Sequence, residues 1–183
     1  MSLEQLINDC KKNNIKAQEQ LYKHYAPKLF SVCLKYAHDY NEAQDYLQES
    51  FITIFQKIDQ FEFKGSFDGW AKKIVVNHIL QQFRKNNKWV LIDENLVEEY
   101  EEIELEIEEN ISMDFLMKII QELPERYRMV FNLYVFENYS HNEIASALGI
   151  TSGTSKSNLA RARMILKEKI ENNKGNFRLS SVK

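Results

Sequence analysis

The polar, basic and aromatic side chains of this chain that could do chemistry are grouped for holding nucleic acid, with no grouping suited to making or breaking bonds. In the segment from Tyr139 to Leu166, Ser152, Thr154, Lys156, Ser157 and Asn158 gather short polar groups and a cation near the start of a helix, and Arg161 and Arg163 follow one turn later. Helix starts of that composition suit base edges and phosphates, which need donors and positive charge. A second group runs from Phe61 to Lys88. Phe61, Phe63 and Phe67 surround a loop marked by Gly65 and Gly69, and Trp70, Lys72, Lys73, Asn77, Phe83, Arg84, Lys85 and Lys88 come after it. Flat rings bordered by cations are what unstacked bases and their phosphates require. The spacing of Trp70, Ile74, Val75 and Ile79 fits a core stripe equally well, so composition leaves both uses of the aromatics open. No paired carboxylates, nucleophile with a base, phosphate-cradling glycine loop or metal cluster is present. No catalytic residue, metal or cofactor is therefore expected.

The first group needs a helix-turn-helix to present it. Ser140 followed by Glu143 is a capping box, Ile144, Ala145 and Leu148 form a short apolar face, Gly149 is placed to end that helix, and Thr151 can cap the next. No acidic residue occurs between Ile144 and Lys167. A helical hairpin with a solvated basic face is the competing reading; the caps and the charge favour DNA.

The second group follows two other helical passages. Ala17, Leu21, Tyr25, Leu29, Val32, Cys33 and Tyr36 recur at three- and four-residue intervals, with Pro27 marking a start or a kink; Ala43, Tyr46, Leu47, Phe51, Ile54, Phe55 and Ile58 repeat the pattern. The second of these passages leaves Asp45, Gln48, Glu49 and Gln56 on its other side. On composition alone that face is ordinary wet surface.

Charge divides the chain. The formal net charge is −3 over 183 residues, but residues 1–92 hold 13 Lys and Arg against 10 Asp and Glu, residues 93–112 hold none against 10, and residues 113–183 hold 11 against 7. Two mildly basic domains, 1–92 and 113–183, are thus expected on either side of an acidic linker, IDENLVEEYEEIELEIEENIS with its flanks, too densely charged to form a core yet carrying Leu96, Val97, Tyr100, Ile103, Leu105 and Ile107. With 5 Gly, 2 Pro and 44% hydrophobic residues, the fold class expected is all-α: two small helical domains, the C-terminal one a helix-turn-helix. Cys10 and Cys33 are far apart in amphipathic patterns and are expected as reduced, buried thiols. No stretch of about 18 apolar residues occurs, so membrane insertion is not expected and a cytoplasmic protein is.

Three blocks, in order, resemble a bacterial RNA polymerase sigma factor of the extracytoplasmic-function group, within the sigma-70 family. AQDYLQESFITIF resembles the core-polymerase-binding helix, GSFDGWAKKIVVNHILQQFRK the segment that recognises and melts the −10 element, and LPERYRMVFNLYVFENYSHNEIASALGITSGTSKSNLARAR, headed by Leu123 and Pro124, the −35 reader. The resemblance covers roughly residues 15–172. It implies an initiation factor without catalytic activity, whose partners are core RNA polymerase, promoter DNA as duplex and as melted strand, and an anti-sigma factor, with no small-molecule substrate. It assigns Asp45, Gln48, Glu49 and Phe51 to the polymerase clamp. Phe63, Phe67, Trp70, Lys72, Lys73, Asn77, Arg84 and Lys85 go to the −10 strand, and Ser152, Thr154, Lys156, Ser157, Asn158, Arg161 and Arg163 to the −35 duplex. The linker would thread toward the polymerase cleft. This chain departs from the pattern that the resemblance implies at Ser155, in place of the usual Val, at Asn158, in place of the usual Arg, and at Gln81, where an acid is common. A helix-turn-helix regulator acting without polymerase, or a helical adaptor that binds only proteins, are the alternatives.

Overall fold

Side-chain caps start most of the helices. Ser2 opens α1 (Leu3–Lys11) through a capping box with Gln5, Asn14 caps α2 (Ile15–Tyr36) and Asp39 caps α3 (Tyr40–Lys57), each satisfying backbone N–H groups that the first turn leaves unpaired. One 3-10 turn, Ile58–Gln60, and a short loop lead to α4 (Phe67–Asn86). Ser112 caps α5 (Met113–Gln121), Pro124 precedes α6 (Glu125–Val135), and α7 (His141–Leu148) and α8 (Ser152–Ser180) complete the chain. The computed structural model describes residues 2–86 and 111–180, with side chains to residue 173, and no strand occurs among them. The acidic linker expected over 93–112 falls outside the described residues up to residue 110, as do Lys88 and the proposed boundary at residue 92.

The chain divides into two units, Met1–Asn87 and Lys88–Lys183. In the first, α2, α3 and α4 pack against one another and α1 lies along α2. All seven apolar positions read from the α2 period are buried. Pro27 starts no helix: α2 runs through it on both sides. The inner line of α3 is Ala43, Leu47, Ser50, Phe51 and Ile54, and that of α4 includes Ala71, Val75, Ile79 and Phe83. Each fully buried Leu, Ile or Phe contributes about 1.5–3 kcal/mol, so these stripes outweigh intrinsic helix propensity in deciding the packing. Cys10 and Cys33 are free and buried. Burial pushes their thiols up to about 11, with Asp9 adding to the effect, and about 12 respectively, which leaves them protonated and unreactive.

In the second unit α8 packs on α6 and α7, with α5 against it. The corner between α5 and α6 is built around Arg128, whose buried guanidinium donates through Nη1 to the carbonyls of Gln121 at 2.7 Å and Leu123 at 3.0 Å. A buried cation needs such partners, and the end of α5 supplies carbonyls that its last turn leaves unpaired. Lys169 of α8 meets Glu122 at 2.6 Å just past the same helix end.

Candidate nucleic-acid interface

The helix-turn-helix forms as its caps predict. Ser140 accepts from the Glu143 N–H while the Glu143 carboxylate accepts from the Ser140 N–H at 2.8 Å, an arrangement that holds the Glu143 carboxyl below its ordinary range. Gly149 ends α7 at φ 71° and ψ 37°, left-handed backbone that a side chain would strain. Thr151 Oγ1 then accepts from the Thr154 N–H at 3.0 Å to start α8.

Along α8 the residues Ser155, Asn158, Leu159, Ala162, Leu166 and Ile170 face inward. Lys156 and Arg163, seven residues apart, share one edge of the outer surface, while Ser157 and Arg161, four apart, share the other. The Arg163 guanidinium lies 5.8 Å from the centre of the Tyr134 ring, and that ring stacks on His141 at 4.8 Å. Tyr134 of α6 thus contacts both Arg163 of α8 and the first residue of α7.

Two polar residues of α8 lie inward. Ser155 is fully buried, and its hydroxyl sits 2.9 Å from Nδ1 of His141, a polar link between α7 and α8. Asn158 is only 8% exposed and its Nδ2 has no hydrogen-bond partner among the described residues. The side chain expected at DNA thus lies within the helix packing of the free chain. Its spacing from Ala162 and Leu166, four and eight residues, was the signal for burial, and its polar character masked it.

In the first unit, Lys73, Asn77, Gln81 and Arg84 are exposed and recur at four-, four- and three-residue intervals along one line of α4, with half-buried Trp70 at its head and exposed Lys85 beside it. A cleft of about 250 Å³ lies between α2 and α3, lined in part by Tyr22, Phe30, Tyr40 and Gln48. A second, of about 180 Å³, lies between α3 and α4 and is lined by Thr53, Lys57, Ile74, Asn77, His78 and their neighbours Leu80, Gln81 and Arg84. Thr53 and Lys57 join this set only through tertiary packing. Lys72 does not belong to the line: it is half-buried on the side of α4 that carries Val75, Val76 and Ile79.

The three loop phenylalanines divide. Phe61 and Phe67 are buried, and Phe67 packs on Tyr25 at 4.9 Å, Phe61 at 5.3 Å and Trp70 at 5.4 Å. Phe67, expected at the single strand, is thus packed as a core residue in the free chain. Phe63 is 41% exposed, with φ 57°.

On α3, Asp45, Gln48, Glu49 and Gln56 form one exposed line, and Ile52 sits in its middle at 57% exposure. Ile52 belongs to neither the apolar stripe nor the polar set read from the sequence, because an apolar residue does not by itself mark a surface position. Phe51, assigned to the polymerase, is buried against Tyr22 at 4.6 Å and Phe55 at 5.8 Å; it supports the face from beneath. Glu49 also reaches α4, 2.9 Å from Nε2 of His78 and 3.0 Å from the amide of Gln82. Burial holds His78 below its ordinary value, outweighing the opposing pull of Glu49, which favours the neutral imidazole.

Among the described residues no helix is long and apolar enough to cross a membrane and no group of His, Cys, Asp and Glu is set to hold a metal. The family model for sigma-70 region 2 matches residues 21–89 and that for sigma-70 region 4 matches residues 116–166. The ECF RNA polymerase sigma factor SigW of Bacillus subtilis (strain 168) is 25% identical over 187 residues, covering 93% of this chain and 97% of the relative. SigE of Mycolicibacterium smegmatis is 27% identical over 157 residues, covering 82% of this chain and 60% of that longer relative. Among solved structures, the sigma factor RpoE of Bartonella quintana, in complex with the anti-sigma factor NepR, aligns with a TM-score of 0.49 at 23% identity over 86% of this chain and 98% of its own. With a region 2 unit and a region 4 helix-turn-helix in that order on one chain, and relatives of this kind along nearly its whole length, the protein belongs to the extracytoplasmic-function group of the sigma-70 family.

Proposed function

We propose that this chain is a transcription initiation factor that binds core RNA polymerase, directs it to promoters through −35 and −10 elements, assists their melting, and has no catalytic activity of its own. The observation that carries the reading is the presence, on one chain and in order, of both matched modules. The finer assignments rest on geometry. The exposed line Asp45, Gln48, Glu49, Ile52 and Gln56 supports docking on the polymerase clamp. The edges of α8 with Lys156, Ser157, Arg161 and Arg163 support duplex reading at −35, where phosphate contacts position the helix and the residues at its start meet bases. Phe63, the line from Lys73 to Arg84, and the cleft holding Asn77 and Gln81 support capture of an unstacked base from the −10 strand, the amides supplying donors and acceptors for its edge.

The same reading places the protein in the cytoplasm with its polymerase, and an anti-sigma factor covering the docking faces is the natural regulator. The relative of Bartonella quintana was solved with such a partner. The test is permanganate reactivity of unpaired thymines on promoters selected from a random pool, with purified chain and core polymerase. Reactive thymines that depend on both components are the expected result. Duplex binding without opening on any selected promoter would instead make the chain an ordinary helix-turn-helix regulator.

A further inference from the structure

Lys11, the last residue of α1, stands fifty residues from the loop that carries Phe63, yet it touches that loop twice. Its Nζ donates to the Phe61 carbonyl at 2.7 Å, and the same ammonium lies 5.1 Å from the centre of the Phe63 ring. A lysine ending a helix usually turns toward water or its own last carbonyls. This one is half-buried and spans two elements.

The loop needs such a hold. Phe63 adopts φ 57°, left-handed backbone that a bulky side chain avoids, and such strain persists only where the surroundings over-determine it. From the interior, Phe61 anchors the segment, its ring 5.0 Å from that of Phe63 and 5.5 Å from Trp70. From the outside, Lys11 fixes the backbone just before the strained residue and faces its ring. Glu62 and Lys64 pair with each other at 2.6 Å and are mostly exposed, so they add little hold. Helix α1 precedes residue 21, where the region 2 match begins, so this contact comes from a segment the family model does not cover.

We propose that Lys11 is a positioning residue for the loop at residues 61–66, holding Phe63 in the conformation that receives an unstacked promoter base. The proposal rests on the reading of this loop as a single-strand platform. A loop held in its competent shape captures the base without first being ordered, and the apparent affinity falls in proportion to the competent fraction.

The experiment uses the full chain with core polymerase on a duplex promoter selected by wild type, and compares wild type with Lys11→Met, Lys11→Gln and Lys11→Arg. Met keeps the aliphatic stem and removes charge and donor, Gln is the polar uncharged control, and Arg preserves both interactions. Thymine reactivity should fall about tenfold in the Met and Gln variants, the scale of one charge-assisted hydrogen bond, with core binding and closed-complex occupancy unchanged. Lys11→Arg should retain most of the opening, and a premelted bubble should restore part of what Met and Gln lose. Wild-type opening by Lys11→Met overturns the proposal. So does a parallel loss of core binding and closed complex in both Met and Gln variants, which would make Lys11 a plain structural residue. If wild type itself opens no promoter, the platform reading fails and takes the proposal with it; that outcome is distinct from an active wild type indifferent to Lys11.

Discussion

Replacing Phe67 and replacing Phe63 should have opposite consequences, although the two rings lie four residues apart in one loop-helix segment. Phe67 is 3% exposed and packed on three aromatic rings, so Phe67→Ala opens a cavity and costs about 3–5 kcal/mol. Against a total stability of about 5–15 kcal/mol for a domain, that loss leaves the first unit marginal. Phe63→Gly is different. The ring is 41% exposed, so its partial burial is worth roughly 1–2 kcal/mol. The lost ammonium contact with Lys11 adds about 0.5–1 kcal/mol. Glycine relieves the left-handed backbone by about 1–2 kcal/mol, though its extra chain entropy takes back roughly 0.5–1 kcal/mol. The net change should therefore stay near about 1 kcal/mol. Denaturant unfolding followed by Trp70 fluorescence, in a Trp89→Phe background, reports the first unit. Phe67→Ala should shift that midpoint strongly and weaken polymerase binding with it, whereas Phe63→Gly should barely move the midpoint and should lower thymine reactivity with closed complexes intact. Wild-type stability in Phe67→Ala would refute the core placement. Full promoter opening by Phe63→Gly would refute the platform.

On α3, Gln48→Ala combined with Ile52→Ala should weaken core-polymerase affinity by about tenfold with helicity unchanged; equal affinity in a binding titration would mean that another face docks. Glu49→Ala is a poorer probe, since it also releases His78 and Gln82. Asn158→Leu should leave the unfolding midpoint of the second unit unchanged or raised, because an unsatisfied buried amide costs about 1–3 kcal/mol, and selection from a promoter pool should return the same −35 bases. Lys156→Ala should change those bases, and a change with Asn158→Leu instead would place that side chain in the groove. The pH dependence follows from His78, whose folded form resists protonation below its ordinary 6.5. As acid is added the unfolded chain takes up the proton first, so the first unit should lose stability as pH falls below that value. His78→Gln should flatten the slope measured from about pH 7.5 to about pH 5; an unchanged slope would assign it to other groups.

The positions of the helix ends and core stripes were legible in the amino-acid sequence because they depend on neighbours within four residues. Ser140, Glu143, Gly149 and Thr151 cap and end helices through contacts three or four residues away, and the seven-residue stripe of α2 is buried throughout because a helix repeats every 3.6 residues. Family resemblance ran along the same local motifs. What each side chain does within those elements was decided by packing. Phe61, Phe63 and Phe67 are alike in type, and only the path of the loop, fixed by Tyr25 from α2 and Lys11 from α1, sends two inward and one outward. Ser155 and Asn158 are polar at inward positions of α8, and only the approach of α6 and α7 shows one paired with His141 and the other with an amide nitrogen that has no partner among the described residues. The cleft that joins Thr53 and Lys57 to Asn77 and Gln81 requires two helices side by side. Local hydrogen bonding and periodicity can be written into a short stretch of chain; the meeting of residues twenty to fifty positions apart exists only once the cores have packed.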